Sequence, residues 1–276
     1  MPSLETFIEP PAHVRIETEL AAIEHEYGVR ILLAVESGSR AWRFPSRDSD
    51  YDVRFIYLHP IENYLAIVPG RDVIERPIDA VLDVNGWDVR KALQLLTRSN
   101  AVLLEWLTSP VRYRDDGIVP AKLLELARSA ADLTAVAYHY EHQARRDFAG
   151  IVASETPVRL KAYCYALRAA MCLRWISHFR EPPPMDLPSL LSGLTIPQAA
   201  SDGIVQLLAL KAQSTEQDTT QRIAALDQFI GDVLAVPIEQ AAQVDRSLVT
   251  ARANALSASL ALDDFAARVT SGLVRD

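Results

Sequence analysis

Asp50 and Asp52 stand one residue apart at the head of an apolar run, Asp50-Tyr51-Asp52-Val53-Arg54-Phe55-Ile56-Tyr57. Side chains alternate along an extended strand, so the two carboxylates fall on one side. Like charges held that close repel unless a cation lies between them. Upstream, the apolar run Ile31-Leu32-Leu33-Ala34-Val35 reads as a buried strand and leads into Ser37-Gly38-Ser39-Arg40. Gly38 supplies a turn in which backbone can approach a ligand closely. Ser39 can open a short helix whose free N–H groups face phosphate oxygens. A phosphate-holding turn beside paired carboxylates suits a nucleoside triphosphate with its divalent cations. The matching chemistry is nucleotidyl transfer, in which two metals about 3.5–4 Å apart activate an acceptor hydroxyl and stabilise departing pyrophosphate. Magnesium takes oxygen ligands and keeps several waters, so two or three carboxylates suffice.

The Gly-Ser, spacer, Asp-x-Asp order resembles the polymerase-β-like nucleotidyltransferase superfamily. The wording is closer still to its branch of nucleotidyltransferases associated with RNA repair. Ser37-Gly-Ser-Arg-Ala-Trp42, Asp50-Tyr-Asp-Val-Arg-Phe-Ile-Tyr57 and Asp83-Val-Asn-Gly-Trp-Asp-Val-Arg-Lys-Ala-Leu93 carry the resemblance, with Asn100, Leu104-Glu-Trp-Leu107 and Ser109-Pro110. It continues more weakly through His139-Tyr140, Lys161-Ala-Tyr163, Arg168 and Trp175, to about Lys211. One departure is Arg43, where the branch has glycine, and it bears on the shape of the Arg43–Ser49 arch.

The resemblance implies an enzyme that transfers a nucleoside monophosphate from an NTP, ATP foremost, with magnesium or manganese. It implies a third acidic residue on a nearby strand: Asp83 by position, with Asp79 as fallback. Asp50, Asp52 and Asp83 are then the catalytic and metal-holding set. Gly38 and Ser39 would hold the β- and γ-phosphates, assisted by Arg40, unless that arginine pairs within its own fold. Lys161 and Arg168 would reach the nucleotide from the helical part. Tyr163 and Tyr165 are either site residues or buried rings with satisfied hydroxyls. The acceptor is an RNA end by family analogy. The alternatives are AMP transfer to a protein hydroxyl, a non-catalytic nucleotide-binding module, or an interaction protein built on the long C-terminal helices. Trp42 reads as packing under the loop, Asp48 as a turn former, and Arg54 as a structural counter-ion.

These residues need elements to position them. An amphipathic helix over 12–27 carries Ile16, Leu20, Ile23 and Tyr27 on one stripe. Strands are expected at 30–36, 51–58, 72–76 and 78–84, with a short segment at 61–67. Asn85-Gly86 is read as a break, followed by helices at 87–98 and 101–108, the latter ended by Ser109-Pro110. After Asp115-Asp116-Gly117 only helical patterns follow, at 119–130, 132–153, 156–180, 197–213, 219–235 and 238–265, with Pro182-Pro183-Pro184 as an extended link. The expectation is an α+β chain: a nucleotidyltransferase domain with a small mixed sheet at 1–115, then an all-helical domain at 116–276.

The 276 residues carry a net charge of −8, which gives no general attraction to nucleic acid but leaves room for a local basic groove. No apolar run approaches the roughly 20 residues of a membrane span. The N-terminus has neither a basic start nor an apolar signal core. The expected location is the cytoplasm of a bacterium-like cell, with no membrane partner. Cys164 and Cys172 would sit about 12 Å apart along one helix, too far for a disulfide, and read as core residues. His139 and His142 lack a third ligand at zinc-site spacing, and Arg145-Arg146 reads as a solvated pair.

Overall fold

In the computed structural model of the chain, residues 8–79, 81–154, 157–240 and 244–271 are described. Parts of the expected 78–84, 156–180 and 238–265 elements, at residues 80, 156 and 241–243, lie outside them. Helix α1 (Pro10–Tyr27) starts with proline in its first turn and stops at Gly28, whose left-handed backbone closes it. The mixed region continues with β1 (Arg30–Glu36), α2 (Gly38–Ala41), β2 (Tyr51–Leu58), α3 (Ile61–Leu65), β3 (Val73–Glu75), β4 (Leu82–Asp88), α4 (Val89–Thr97), α5 (Ala101–Thr108) and β5 (Arg112–Asp115). The sheet order is β3-β4-β2-β1-β5; β2 and β4 run parallel and the other pairs antiparallel.

Alternation gives each face its partner. Tyr51, Val53, Phe55 and Tyr57 pack with Ile16, Leu20 and Ile23 of α1. Val35, Ile56 and Leu58 face the other way, into a core shared with α4, α5 and the helices beyond them. Those are α6 (Val119–Ala130), α7 (Leu133–Ala153), α8 (Leu160–Phe179), α9 (Leu187–Gly193), α10 (Gln198–Gln213), α11 (Ala224–Ala235) and α12 (Arg246–Thr270). A two-residue ladder joins β6 (Val158–Arg159) to β7 (Thr219–Thr220), so the second half is not wholly helical. Cys164 and Cys172 are buried free thiols whose pKa burial pushes up to about 12. No helix among the described residues is long and apolar enough to cross a membrane.

The architecture is the expected α+β arrangement, with one informative shift. Asn85-Gly86 is not a break: β4 runs through it to Asp88, which accepts the Arg90 N–H at 2.7 Å and caps α4. The glycine is there for proximity. A Cβ at 86 would stand 2.1 Å from the Phe55 ring of the neighbouring strand. Four elements carry no counterpart in the sequence reading: β5, α9 and the two short strands β6 and β7, which fall where helices were expected.

Candidate active site

The parallel pairing of β2 and β4 sets Asp52 opposite Asp83 and Arg54 opposite Asn85. Leu82, Val84 and Gly86 are buried while Asp83, Asn85 and Trp87 turn to the open face. Two short rows therefore lie side by side: Asp52 and Arg54 along one strand, Asp83, Asn85 and Trp87 along the other, with Asp50 just before the first and close enough to act on Asp52. Arg54 binds the rows together, its Nη2 donating to Asp52 Oδ1 at 2.9 Å and Asp83 Oδ2 at 2.8 Å. It also donates to the Asp83 carbonyl at 2.9 Å. Arg54 is the counter-ion that the sequence suggested.

Asp52 is held from three directions. Its carbonyl accepts the Ser37 N–H at 2.8 Å, and its own N–H donates to Glu36 Oε1 at 3.0 Å. Gly38, at φ +60°, lies over its carboxylate so closely that a Cβ would fall 2.0 Å from Oδ2. Burial raises the Asp52 pKa; Arg54 opposes this, and Asp50 and Asp83 add to it. Glu36 beneath is fully buried and also takes the Tyr113 hydroxyl. Burial outweighs these hydrogen bonds and lifts its pKa to about 8.

The loop after Gly38 is a clamped arch. The Ser39 hydroxyl donates to Ser49 Oγ at 3.1 Å, and the Ser46 and Ser49 hydroxyls both donate to Glu216 Oε1, at 2.7 and 3.0 Å. Arg47 N–H donates to the Ser214 carbonyl, while Asp48 accepts the Glu216 N–H. Arg43 stands at φ +71°, a left-handed conformation in which glycine is the least strained residue. The turn is therefore kept with arginine in place of the glycine seen in the resembling branch.

Glu216 also takes Lys161 Nζ at 2.8 Å and the buried Lys211 Nζ at 3.1 Å. Burial would raise its pKa, but hydrogen bonds from Lys161, Ser46 and Lys211 reverse that and bring it to about 2. Burial alone would lower the Lys161 pKa; Glu216, Tyr165 and Asp50 more than offset it. Lys161 is thus a half-exposed ammonium within the field of the carboxylate pair.

Two expected nucleotide contacts go elsewhere. Arg168 is 1% exposed: its Nη2 donates to Glu105 Oε1 at 2.8 Å and its Nε to the Met185 carbonyl at 2.9 Å, and it lies over the Trp42 ring. Glu105 also accepts the Tyr140 hydroxyl at 2.9 Å. A fully buried guanidinium needs this pairing, so Arg168 ties helices together instead of facing a triphosphate. Arg40 donates to the carbonyls of Ser49 and Asp50 and stacks 3.9 Å from the Tyr51 ring centroid, so it shapes the arch from within. Tyr163 is buried with its hydroxyl bound to Asp227. Asp79 precedes β4, accepts the Val81 and Leu82 N–H groups and pairs with Arg15 of α1, which removes it as the fallback.

Between sheet and helices lies an open cleft bordered by Gly38, Asp52, Arg54, His139, Arg146 and Tyr165. A second cleft continues past Arg54 to Asp83, Asn85 and Trp87. Among the described residues, no three His, Cys, Asp or Glu side chains converge on one point; the Arg54 guanidinium occupies the space between Asp52 and Asp83. Glu36 and Glu216 carried no legible signal, because partners such as Tyr113 and Ser46 come from distant parts of the chain.

Residues 12–259 match the RNA repair pathway DNA polymerase beta family. The chain belongs to that family. It is 43% identical over 216 residues to the uncharacterized protein YcgL of Bacillus subtilis (strain 168), across 78% of this chain and 83% of that one. A nucleotidyltransferase-like protein from Exiguobacterium sibiricum 255-15, known from a crystal structure, is 13% identical at a TM-score of 0.32, over 79% of this chain and 74% of that one.

Proposed function

We propose that this protein is a metal-dependent nucleotidyltransferase that moves a nucleoside monophosphate from an NTP, ATP foremost, to the hydroxyl of an RNA end. The observation that carries the reading is the register of Asp52 against Asp83, beneath a glycine turn that leaves room for the Asp52 carboxylate. Asp50, Asp52 and Asp83 would hold the divalent cations. Their oxygen-only donor set suits magnesium or manganese, and the cluster calls for a cation, a place that Arg54 fills. When bound, such ions supply charge stabilisation at the phosphates and lower the pKa of a coordinated hydroxyl.

The chain's own residues do the rest. Gly38 and the Ser39 hydroxyl bind the terminal phosphates. Lys161, half-exposed and paired with Glu216, adds positive charge. Asp83 orients the acceptor hydroxyl and takes up its proton. The acceptor oxygen attacks the α-phosphorus, the bond to the bridging oxygen of the β-phosphate breaks, and pyrophosphate leaves with that electron pair.

The test is incubation with each of four α-labelled NTPs, magnesium or manganese, and separated RNA and protein fractions. Label should enter RNA, depend on the divalent cation, and drop to background for Asp52→Asn. Label retained by Asp52→Asn, or label found in protein alone, would overturn the proposal.

A further inference from the structure

Beyond Arg54 the second cleft holds a feature that the transfer chemistry does not use. Trp87, on the open face of β4, stacks on Trp106 of α5 with ring centroids 3.8 Å apart and an interplanar angle of 23°. Trp106 is 3% exposed and borders both clefts, yet its indole N–H is buried without an acceptor. Trp87 is only partly buried and faces the same cleft as Asp83, Asn85 and Val102. The Asn85 amide is steadied by Glu75 Oε1 at 3.2 Å and lines that cleft beside it.

From this we infer that the Trp87–Trp106 pair is the acceptor subsite, and that it receives an unpaired nucleobase at the end of an RNA chain. The inference rests on the nucleotidyl-transfer reading for its orientation: the base would lie on Trp87, two strand positions past Asn85, with its hydroxyl toward Asp83. Trp106 backs Trp87, so the platform keeps its plane without a ligand. A planar nucleobase uses that stacking surface. A serine or threonine hydroxyl on a protein would not.

Charge limits how much RNA is bound. Arg54 is held by Asp52 and Asp83, and Arg76 at the cleft's rim is held by Glu19 and Glu26. Arg54 and Arg76 are the basic side chains that line this cleft among the described residues, and both are already paired. The subsite therefore reads one terminal nucleoside, and its affinity should depend only weakly on salt, with a logarithmic slope of about −1 or shallower.

The test uses a five-nucleotide single-stranded RNA followed by fluorescence anisotropy, with ATP–magnesium binding measured separately by calorimetry. Trp87→Ala should weaken RNA binding about tenfold or more and leave the ATP Kd within about twofold. Trp87→Phe, which keeps a ring and the packing on Trp106, should retain most of the RNA affinity. Unchanged RNA binding in Trp87→Ala, or equal losses of RNA and ATP binding in Trp87→Phe, would overturn the subsite. So would a wild-type protein that binds ATP but not the RNA. RNA binding that depends on Trp87 in a protein showing no NTP binding or transfer would instead uphold the subsite and remove the transfer reading.

Discussion

At position 38 a hydrogen atom stands where any other residue has a carbon, and the Asp52 carboxylate occupies the room that this leaves. Gly38→Ala would push the carboxylate aside and strain a backbone at φ +60°. Because misplacing a reacting group by about 1 Å can cost about a hundredfold, transfer should fall by about that factor while circular dichroism shows the fold retained. Glu36 makes a second prediction at this scale. Its pKa is raised to about 8 by burial, so the folded protein holds a proton that the unfolded chain has released above about pH 4.5. Stability from this group is complete below that value and lost as pH rises toward 8. Glu36→Gln, which keeps an oxygen for the Asp52 N–H, should flatten the loss between about pH 5 and 8 in denaturant titrations. A variant that keeps the full slope would show that other groups carry it.

Among elements, the arch after α2 and the turn after α10 act as one unit through Glu216. Two lysines and two serine hydroxyls converge on its carboxylate, and one of the lysines is buried. Glu216→Gln leaves Lys211 buried without its counter-charge, so stability at neutral pH should drop by about 3 kcal/mol. The acid limb should change with it. A carboxyl whose pKa is depressed to about 2 contributes above its unfolded value, and the contribution disappears as pH falls from about 5 toward 2. The variant should show a shallower loss in that window by urea unfolding. None of this was legible beforehand, because Glu216 lies 167 positions from Ser49 and nothing local marks it. Asp52 and Arg54 were readable, since strand alternation alone puts them on one face. Asn85-Gly86 misled for a physical reason: the pair is a strong turn signal, and only the Phe55 ring on the next strand explains a glycine inside β4. Arg168 was legible as a charge on a helix but not as a buried one, because its partner Glu105 lies on another helix.

For the molecule as a whole, the sheet owes one of its faces to the second half of the chain. Val35, Ile56 and Leu58 share a continuous core with Leu160, Leu167, Leu190 and Val249. A fragment of residues 1–115 should therefore lack cooperative thermal unfolding and bind a hydrophobic dye, whereas the full chain should unfold in a single transition. Cooperative melting of the fragment would show that the sheet and α1 suffice. The carboxylates have a related independence from the chain that links them. Asp52 and Asp83 are some thirty residues apart in sequence, yet they are neighbours across one parallel strand pair, so their separation is fixed by the roughly 4.8 Å spacing of the ladder. The connection from α3 to β3 can be lengthened or trimmed without moving either oxygen, provided β4 still pairs in the same register. A register slip of a single residue would do the reverse, turning Asp83 into the α1 core and presenting Leu82 or Val84 to the cleft.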